Sequence, residues 1–191
     1  MAGKQAKILS DRQIDDLLFL AAAYRNPVRN RVMVLLSVKA GLRAAEIANL
    51  TWDMVLDGCC EVARTIELRD EAAKNGNGRR LPIHRDLLDA LEALLLVTGP
   101  TGPIVRSERG GRMTAVSIVN WFARAYRGIG LAGCSSHSGR RTFITRAARL
   151  VHRAGGSLRD VQVLAGHRSI QTTQRYIDGD TDAQRKLVAM I

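Results

Sequence analysis

Apolar residues recur at helical spacing along most of the chain, and only one stretch alternates as a strand does. That pattern limits the fold to a mainly helical body with one small sheet. Ile14, Leu17, Leu18 and Ala21 form one stripe of a helix over 11–24. Ser10 starts it, and Gln13 three residues on completes a capping box. Pro27 suits the first turn of a second helix, 27–40, which turns Val28, Val32, Leu35 and Leu36 inward and stops at Gly41. A short helix over 43–50 buries Ile47, Ala48 and Leu50. Residues 60–69 alternate apolar and polar, and the Asn-Gly-Asn-Gly at 75–78 accepts the positive φ angles of a tight turn. The spacing predicts a β-hairpin with Lys74 on or near its tip. A Leu-rich helix runs from Arg85 to Thr98 and meets Gly99-Pro100. Thr114 caps a helix through Arg127, whose Trp121, Phe122 and Tyr126 sit at core spacing. Helices over 137–153, 157–165 (ended by Gly166) and 169–177 complete a single domain spanning 1–191: mainly α with a small antiparallel β-sheet, α+β in class.

The charge is uneven. The chain carries +11 overall, and a surface of that sign favours a polyanion, because each neutralised phosphate releases condensed counterions. From His137 to Tyr176 there are eight arginines against one acid, Asp160. Within that stretch the polar groups fall into H-S-G-R at 137–140, G-H-R-S at 166–169 and Tyr176. Guanidiniums hold an anion, imidazoles donate to its oxygens and a phenol can attack it, so this is a set suited to phosphodiester chemistry. Arg43 stands at a helix start, where the dipole repels it. It therefore needs either an anion or a partner, and Glu46 one turn on can hold it. Arg106, Arg109 and Arg112 lie in the loop 99–113, as backbone contacts or as a solvated turn. Cys59, Cys60 and Cys134 form no CxxC pair and read as reduced thiols of a cytoplasmic protein. Cys134, His137, His152 and His167 match no standard zinc spacing, so no metal is expected. The longest apolar run, near 91–97, is too short to cross a membrane.

Taken together, G-L-R-A-A-E at 41–46, Lys74, H-S-G-R at 137–140, L-A-G-H at 164–167 and T-T-Q-R-Y at 172–176 resemble the tyrosine recombinase, or phage integrase, family. S-D-R-Q-I-D-D-L-L at 10–18 looks like the first helix of that family's catalytic domain, so the resemblance spans nearly the whole chain. Most members carry a further N-terminal core-binding domain that closes around DNA. The length here leaves no room for one, and the chain is expected to be a catalytic domain alone or a short member similar to the fimbrial phase-switch recombinases.

The resemblance implies roles residue by residue. Tyr176 attacks a scissile phosphate to form a 3′-phosphotyrosyl bond and release a 5′-hydroxyl. Arg43 and Arg140 hold the non-bridging oxygens. Lys74 protonates the leaving oxygen. His137 accepts a proton from Tyr176 or bonds the phosphate, and His167 donates to a non-bridging oxygen. Glu46 stands behind them, orienting Arg43 or His137, while Arg112, Arg141, Arg146 and Arg168 touch DNA. No metal or nucleotide cofactor is implied. The implied partner is double-stranded DNA, bound by a DNA-dependent homotetramer with accessory DNA-binding proteins possible, and the segment 181–191 is expected to dock on a neighbouring protomer. Competing readings are a type IB topoisomerase-like enzyme, which rejoins the same strands, and a DNA-binding protein without catalysis.

Overall fold

The first helix opens on a satisfied end. In the computed structural model, which describes residues 6–73, 76–176, 185 and 188–191, α1 (Asp11–Ala23) opens on the expected capping box. The Ser10 hydroxyl accepts from the Gln13 amide at 3.2 Å, and the Gln13 side chain accepts from the Ser10 amide at 3.0 Å. α2 (Pro27–Val38) follows a tight connection through Asn26 in the left-handed region. It is the axis of the molecule, packing against α1, α4 (Arg85–Thr98) and α6 (Ser138–Leu150). Every residue from Val32 to Val38 is buried. A polar side chain inside so enclosed a stretch needs an internal partner, which the Ser37 hydroxyl lacks among the described residues and Asn30 has. Buried Asn30 donates to the Ala21 and Arg25 carbonyls at 3.2 and 2.9 Å.

α3 (Ala44–Asn49) packs on α5 (Ala115–Gly128), whose Trp121, Phe122 and Tyr126 are buried as their spacing indicated. β1 (Thr65–Leu68) and β2 (Arg79–Pro82) pair antiparallel with Ile66 opposite Leu81 and Leu68 opposite Arg79. The strand expected over 60–69 is therefore less than half as long, Thr65–Leu68. Asp57 Oδ1 accepts from the Cys59 and Glu61 amides at 2.8 and 3.1 Å, and this side-chain-held turn takes residues 57–61 out of any ladder. α2 also ends earlier than expected, at Val38, and Gly41 with φ +65° redirects the chain two residues after Lys39 caps it. The basic helix over 137–153 is an α-helix only to Leu150 and closes as a 3-10 turn, Val151–Ala154. α7 (Leu158–Ala165) and α8 (Ile170–Gln174) complete the order.

α6 is the link between two apolar clusters. One face meets α2, and the other makes a small cluster with α7 from Ile144, Ala148, Val151, Val161 and Ala165. On the α2 side the approach is close enough to require glycine: a Cβ on Gly139 would fall onto the Ser37 hydroxyl. Gly139→Ala is expected to cost about 1–3 kcal/mol, as overpacking of a tight contact does. A urea denaturation midpoint equal to that of the unaltered protein would refute it. Among the described residues, no helix is long and apolar enough to cross a membrane.

Candidate active site

Four elements converge where α3 begins, where α6 begins, where α7 ends and where β2 passes between them. α3 supplies Arg43 and Glu46. The Glu46 side chain is fully buried and accepts from the Arg43 amide at 2.9 Å and from Arg43 Nη1 at 2.7 Å. Arg43, whose side chain is 20% exposed, thus has the partner its position at a helix start demanded. β2 supplies a second guanidinium to the same carboxylate: Arg79 donates from Nη1 and Nη2 to the two Glu46 oxygens, each at 3.1 Å. Burial alone would raise the Glu46 pKa. The Arg79 bonds and charge, with the Arg43 amide and charge, outweigh it and hold the carboxyl down at about 2.

α6 supplies Arg140, 3% exposed. Its Nη1 donates to the Gly41 carbonyl and its Nη2 to the Ala165 carbonyl, both at 2.6 Å. Nη2 also lies 3.1 Å from His167 Nε2. Burial, then the neighbouring Arg43, lower the Arg140 pKa to about 10, so it stays cationic at neutral pH. Gly166, with φ +60°, ends α7 in the left-handed conformation and turns His167 back under the helix. The turn is closed from both sides: the His167 amide donates to the Gln162 carbonyl at 3.1 Å, and Gln162 Nε2 donates to the His167 carbonyl at 2.9 Å.

These contacts assign the histidine's tautomer. A guanidinium can only donate, so His167 Nε2 accepts from Arg140, and the proton sits on Nδ1, which donates to Thr173 Oγ1 at 3.0 Å. Burial first, then the charges of Arg140, Arg43 and Arg79, push the His167 pKa down to about 4, with Glu46 opposing. Both rings of the remaining pair face each other: Tyr176 stacks on His167 with centroids 5.5 Å apart and planes at 24°. The Arg141 guanidinium lies 5.8 Å from the Tyr176 ring centroid on α6. An open pocket of about 280 Å³ is lined by His137, Arg140, Arg141, Arg175 and Tyr176 among others.

Two depressed pKa values give one acid response. Above pH 6.5 both the folded and unfolded His167 are neutral; as pH falls toward 4 only the unfolded form gains the proton. For Glu46 the folded carboxylate keeps its charge while the unfolded one is protonated from 4.5 down to about 2. Stability is therefore full above pH 6.5 and falls on acidification across both windows. His167→Gln is expected to flatten the upper window, worth on the order of 2 kcal/mol, and to leave the lower one. Thermal unfolding from pH 7 to 3 in both proteins checks this, and identical pH profiles would refute it.

The structure thus brings Arg43, Glu46, His137, Arg140, His167 and Tyr176 to one place. Lys74 lies outside the described residues, as does most of 181–191; Val188, Met190 and Ile191 are exposed. The four arginines expected at DNA have varied settings. Arg141 covers Tyr176. Arg146 bonds Asp11 Oδ1 at 2.6 Å and the Leu9 carbonyl at 3.2 Å, tying α6 to the start of α1. Arg112 donates to Asn49 Oδ1 at 3.1 Å. Arg168 lines an open pocket of about 320 Å³ beside Arg79 and His167. Arg79 and Thr173 escaped the sequence reading. The signal for Arg79 was there: it shares a strand face with buried Leu81, and a buried arginine requires an acid.

The phage integrase family model matches residues 7–182. The tyrosine recombinase XerD of Mycobacterium tuberculosis is 33% identical over 158 residues, covering 78% of this chain and 47% of its own length. The tyrosine recombinase XerC of Roseiflexus sp. strain RS-1 is 31% identical over 182 residues, covering 89% of this chain and 54% of its own. The chain spans about half the length of the curated relatives it matches. Among solved structures, the Tn1549 transposon integrase in complex with transposon right end DNA superposes with a TM-score of 0.75 at 18% identity, over 100% of this chain and 67% of that one. The XerA recombinase does so at 0.74 and 23% identity, over 96% and 64%. At these identities the likeness is one of fold.

Proposed function

The chain belongs to the phage integrase family, and from that premise we propose that it cuts and rejoins DNA strands through Tyr176 as a site-specific tyrosine recombinase. The observation that carries this reading is the setting of the phenol. It shares a pocket with Arg140 and His137 and stacks on the histidine that Arg140 itself engages. The Tyr176 oxygen attacks phosphorus, the new P–O bond forms, the bond to the 5′ oxygen breaks, and the phenol's proton passes to His137 or solvent. A 5′-hydroxyl of a second strand then reverses the step. The phosphodiester energy stays in the phosphotyrosyl bond, so the scheme consumes no nucleotide.

Arg140 spends three of its five N–H groups on Gly41, Ala165 and His167. The remaining two have no acceptor among the described residues and are left for non-bridging oxygens, with Arg43 beside them. Charge grows on those oxygens in the transition state, so donors already in place stabilise it more than the ground state. Lys74 is assigned the leaving-oxygen proton. His167, as it stands, offers the phosphate no N–H; it donates outward only if Arg140 releases Nε2 and the ring proton moves there from Nδ1, with Thr173 then donating to Nδ1. Arg112, Arg141 and Arg168 are proposed as DNA contacts, and Arg146 joins them only if its tie to Asp11 opens. The substrate is double-stranded DNA held by four protomers, with 181–191 docking on a neighbour and accessory proteins where a site demands them. The protein works in the cytoplasm on nucleoid DNA.

The test is a covalent trap. Nicked duplexes tiling the flanks of its own gene are incubated with the protein in EDTA; the nick releases a short strand and stops rejoining. An SDS-resistant protein–DNA band supports the proposal. Retained DNA binding with no band would favour a binding protein; on intact duplexes, where rejoining is open, rejoining confined to the parental strands would favour a topoisomerase.

A further inference from the structure

Arg79 is a buried cation that the reaction scheme leaves without a task. Its side chain is 4% exposed. It spans three elements: it rides on β2, engages both Glu46 oxygens at the start of α3, and donates from Nε to the Leu164 carbonyl at 2.9 Å near the end of α7. The turn it crosses is built around it. A Cβ on Gly166 would lie 2.7 Å from Arg79 Nη1, and Gly166 already holds a φ of +60°. Its bonds lie within the protein, so it is placed to act through other groups rather than on substrate.

The carboxylate it shares is the informative feature. A Glu46 bonded to Arg43 alone would be a neutral pair, and Arg43 would offer an anion little charge. With Arg79 present, two guanidiniums share one carboxylate. Counting Arg140 and a neutral His167, three cations against one anion leave the buried cluster with two positive charges. A phosphodiester is a monoanion, and its pentacoordinate transition state approaches a dianion. The cluster's charge matches the latter.

Resting on the recombinase reading above, we propose that Arg79 is a positioning residue for strand cleavage. It takes up part of Glu46, so that the carboxylate orients Arg43 without cancelling it, and it fixes the Leu164–His167 turn against β2.

The experiment is single-turnover cleavage of the nicked trap at saturating DNA, on a scissile phosphodiester and on a scissile methylphosphonate. The latter replaces one non-bridging oxygen by methyl, so its transition state carries one charge fewer. Arg79→Met is expected to slow phosphodiester cleavage about 10–100-fold, as loss of a group orienting a ligand does. DNA affinity should hold within a few-fold, and the methylphosphonate should lose much less. Arg79→Lys keeps the cation without the three-armed bridge, and is expected to recover most of the rate even if Arg79→Met folds poorly. Equal proportional losses on both substrates, or a Lys variant as slow as the Met one, would show a structural strut and overturn the proposal. If the unaltered protein forms no covalent product, the recombinase reading fails and takes the proposal with it. If it forms the product but Arg79→Met matches it, only the proposal fails.

Discussion

Tyr176→Phe is expected to lose the covalent protein–DNA product completely while keeping fold and DNA binding. The substitution removes one oxygen. The ring remains, and with it the stack on His167 and the face presented to Arg141. Tyr176 is partly buried at the rim of the α6–α7 cluster, which keeps the same apolar contacts. Stability should therefore change by less than about 1 kcal/mol, the range of a surface or rim substitution. The chemistry has no substitute, because a phenyl ring cannot bond phosphorus, and rate losses for a missing nucleophile reach about 10⁴-fold and beyond. Tyr176→Ala is the poorer test, since it also removes the stack and opens the cluster. The decisive comparison is a denaturing gel of the trapped reaction beside a melting curve and a DNA titration of the same samples. A band that persists in Tyr176→Phe would mean that another side chain attacks. A band lost together with folding or binding would mean that the ring, not its oxygen, is what matters.

What was legible in the chain divides along a physical line. Local signals read true. The Ser10–Gln13 box, the stripe of α1, Thr114 before α5 and Gly166 after α7 are each set by residues within one or two turns, and each forms as expected. Arg43 and Glu46, three residues apart, were paired correctly for the same reason. Contacts made to main-chain atoms left no mark. Nothing in the sequence says that Arg140 reaches the carbonyls of Gly41 and Ala165, because every residue carries a carbonyl. The turn at 57–61 defeated the alternation over 60–69, since one aspartate gathering two amides outweighs a weak strand preference. In α2 the sequence reading turned Val28, Val32, Leu35 and Leu36 inward, yet Met33, Val34 and Val38 are buried too. Six of the seven residues from Val32 to Val38 are apolar, and a helical run without a polar face marks a helix enclosed by its neighbours, a signal the reading passed over.

Tautomer and charge belong to the same argument. The family resemblance assigned His167 as a donor to phosphate, which the motif alone suggests. Only the partners decide otherwise for the DNA-free molecule: a guanidinium on one nitrogen and Thr173 on the other leave a neutral ring that accepts and donates within the protein. For this ring to donate to a phosphate oxygen, Arg140 would have to exchange Nε2 for another acceptor and the ring proton move from Nδ1 to Nε2. Such an exchange is cheap in energy when the group stays fully bonded before and after.

Arg140→Lys tests how much of that arrangement is structure and how much is catalysis, and it is expected to damage both. Arginine's planar fork reaches Gly41, Ala165 and His167 at once. A lysine has one nitrogen on a flexible stem and cannot span them. At least one buried carbonyl is then left unpaired, along with His167 Nε2, at about 1–3 kcal/mol for each such group before relaxation. The expected net loss is about 2–4 kcal/mol, read as a lower urea midpoint at unchanged slope. Cleavage should fall about 10²–10³-fold, the usual effect of removing one preorganised donor to a developing charge. Arg43→Lys is the control. Among the described residues its side chain has a single bond, to Glu46, and it is partly exposed, so it should lose cleavage similarly while costing less than about 1 kcal/mol of stability. If both variants melt like the unaltered protein, the carbonyl contacts of Arg140 are incidental. If both unfold alike, the buried cluster as a whole is a folding element, and Arg140 has no special place in it.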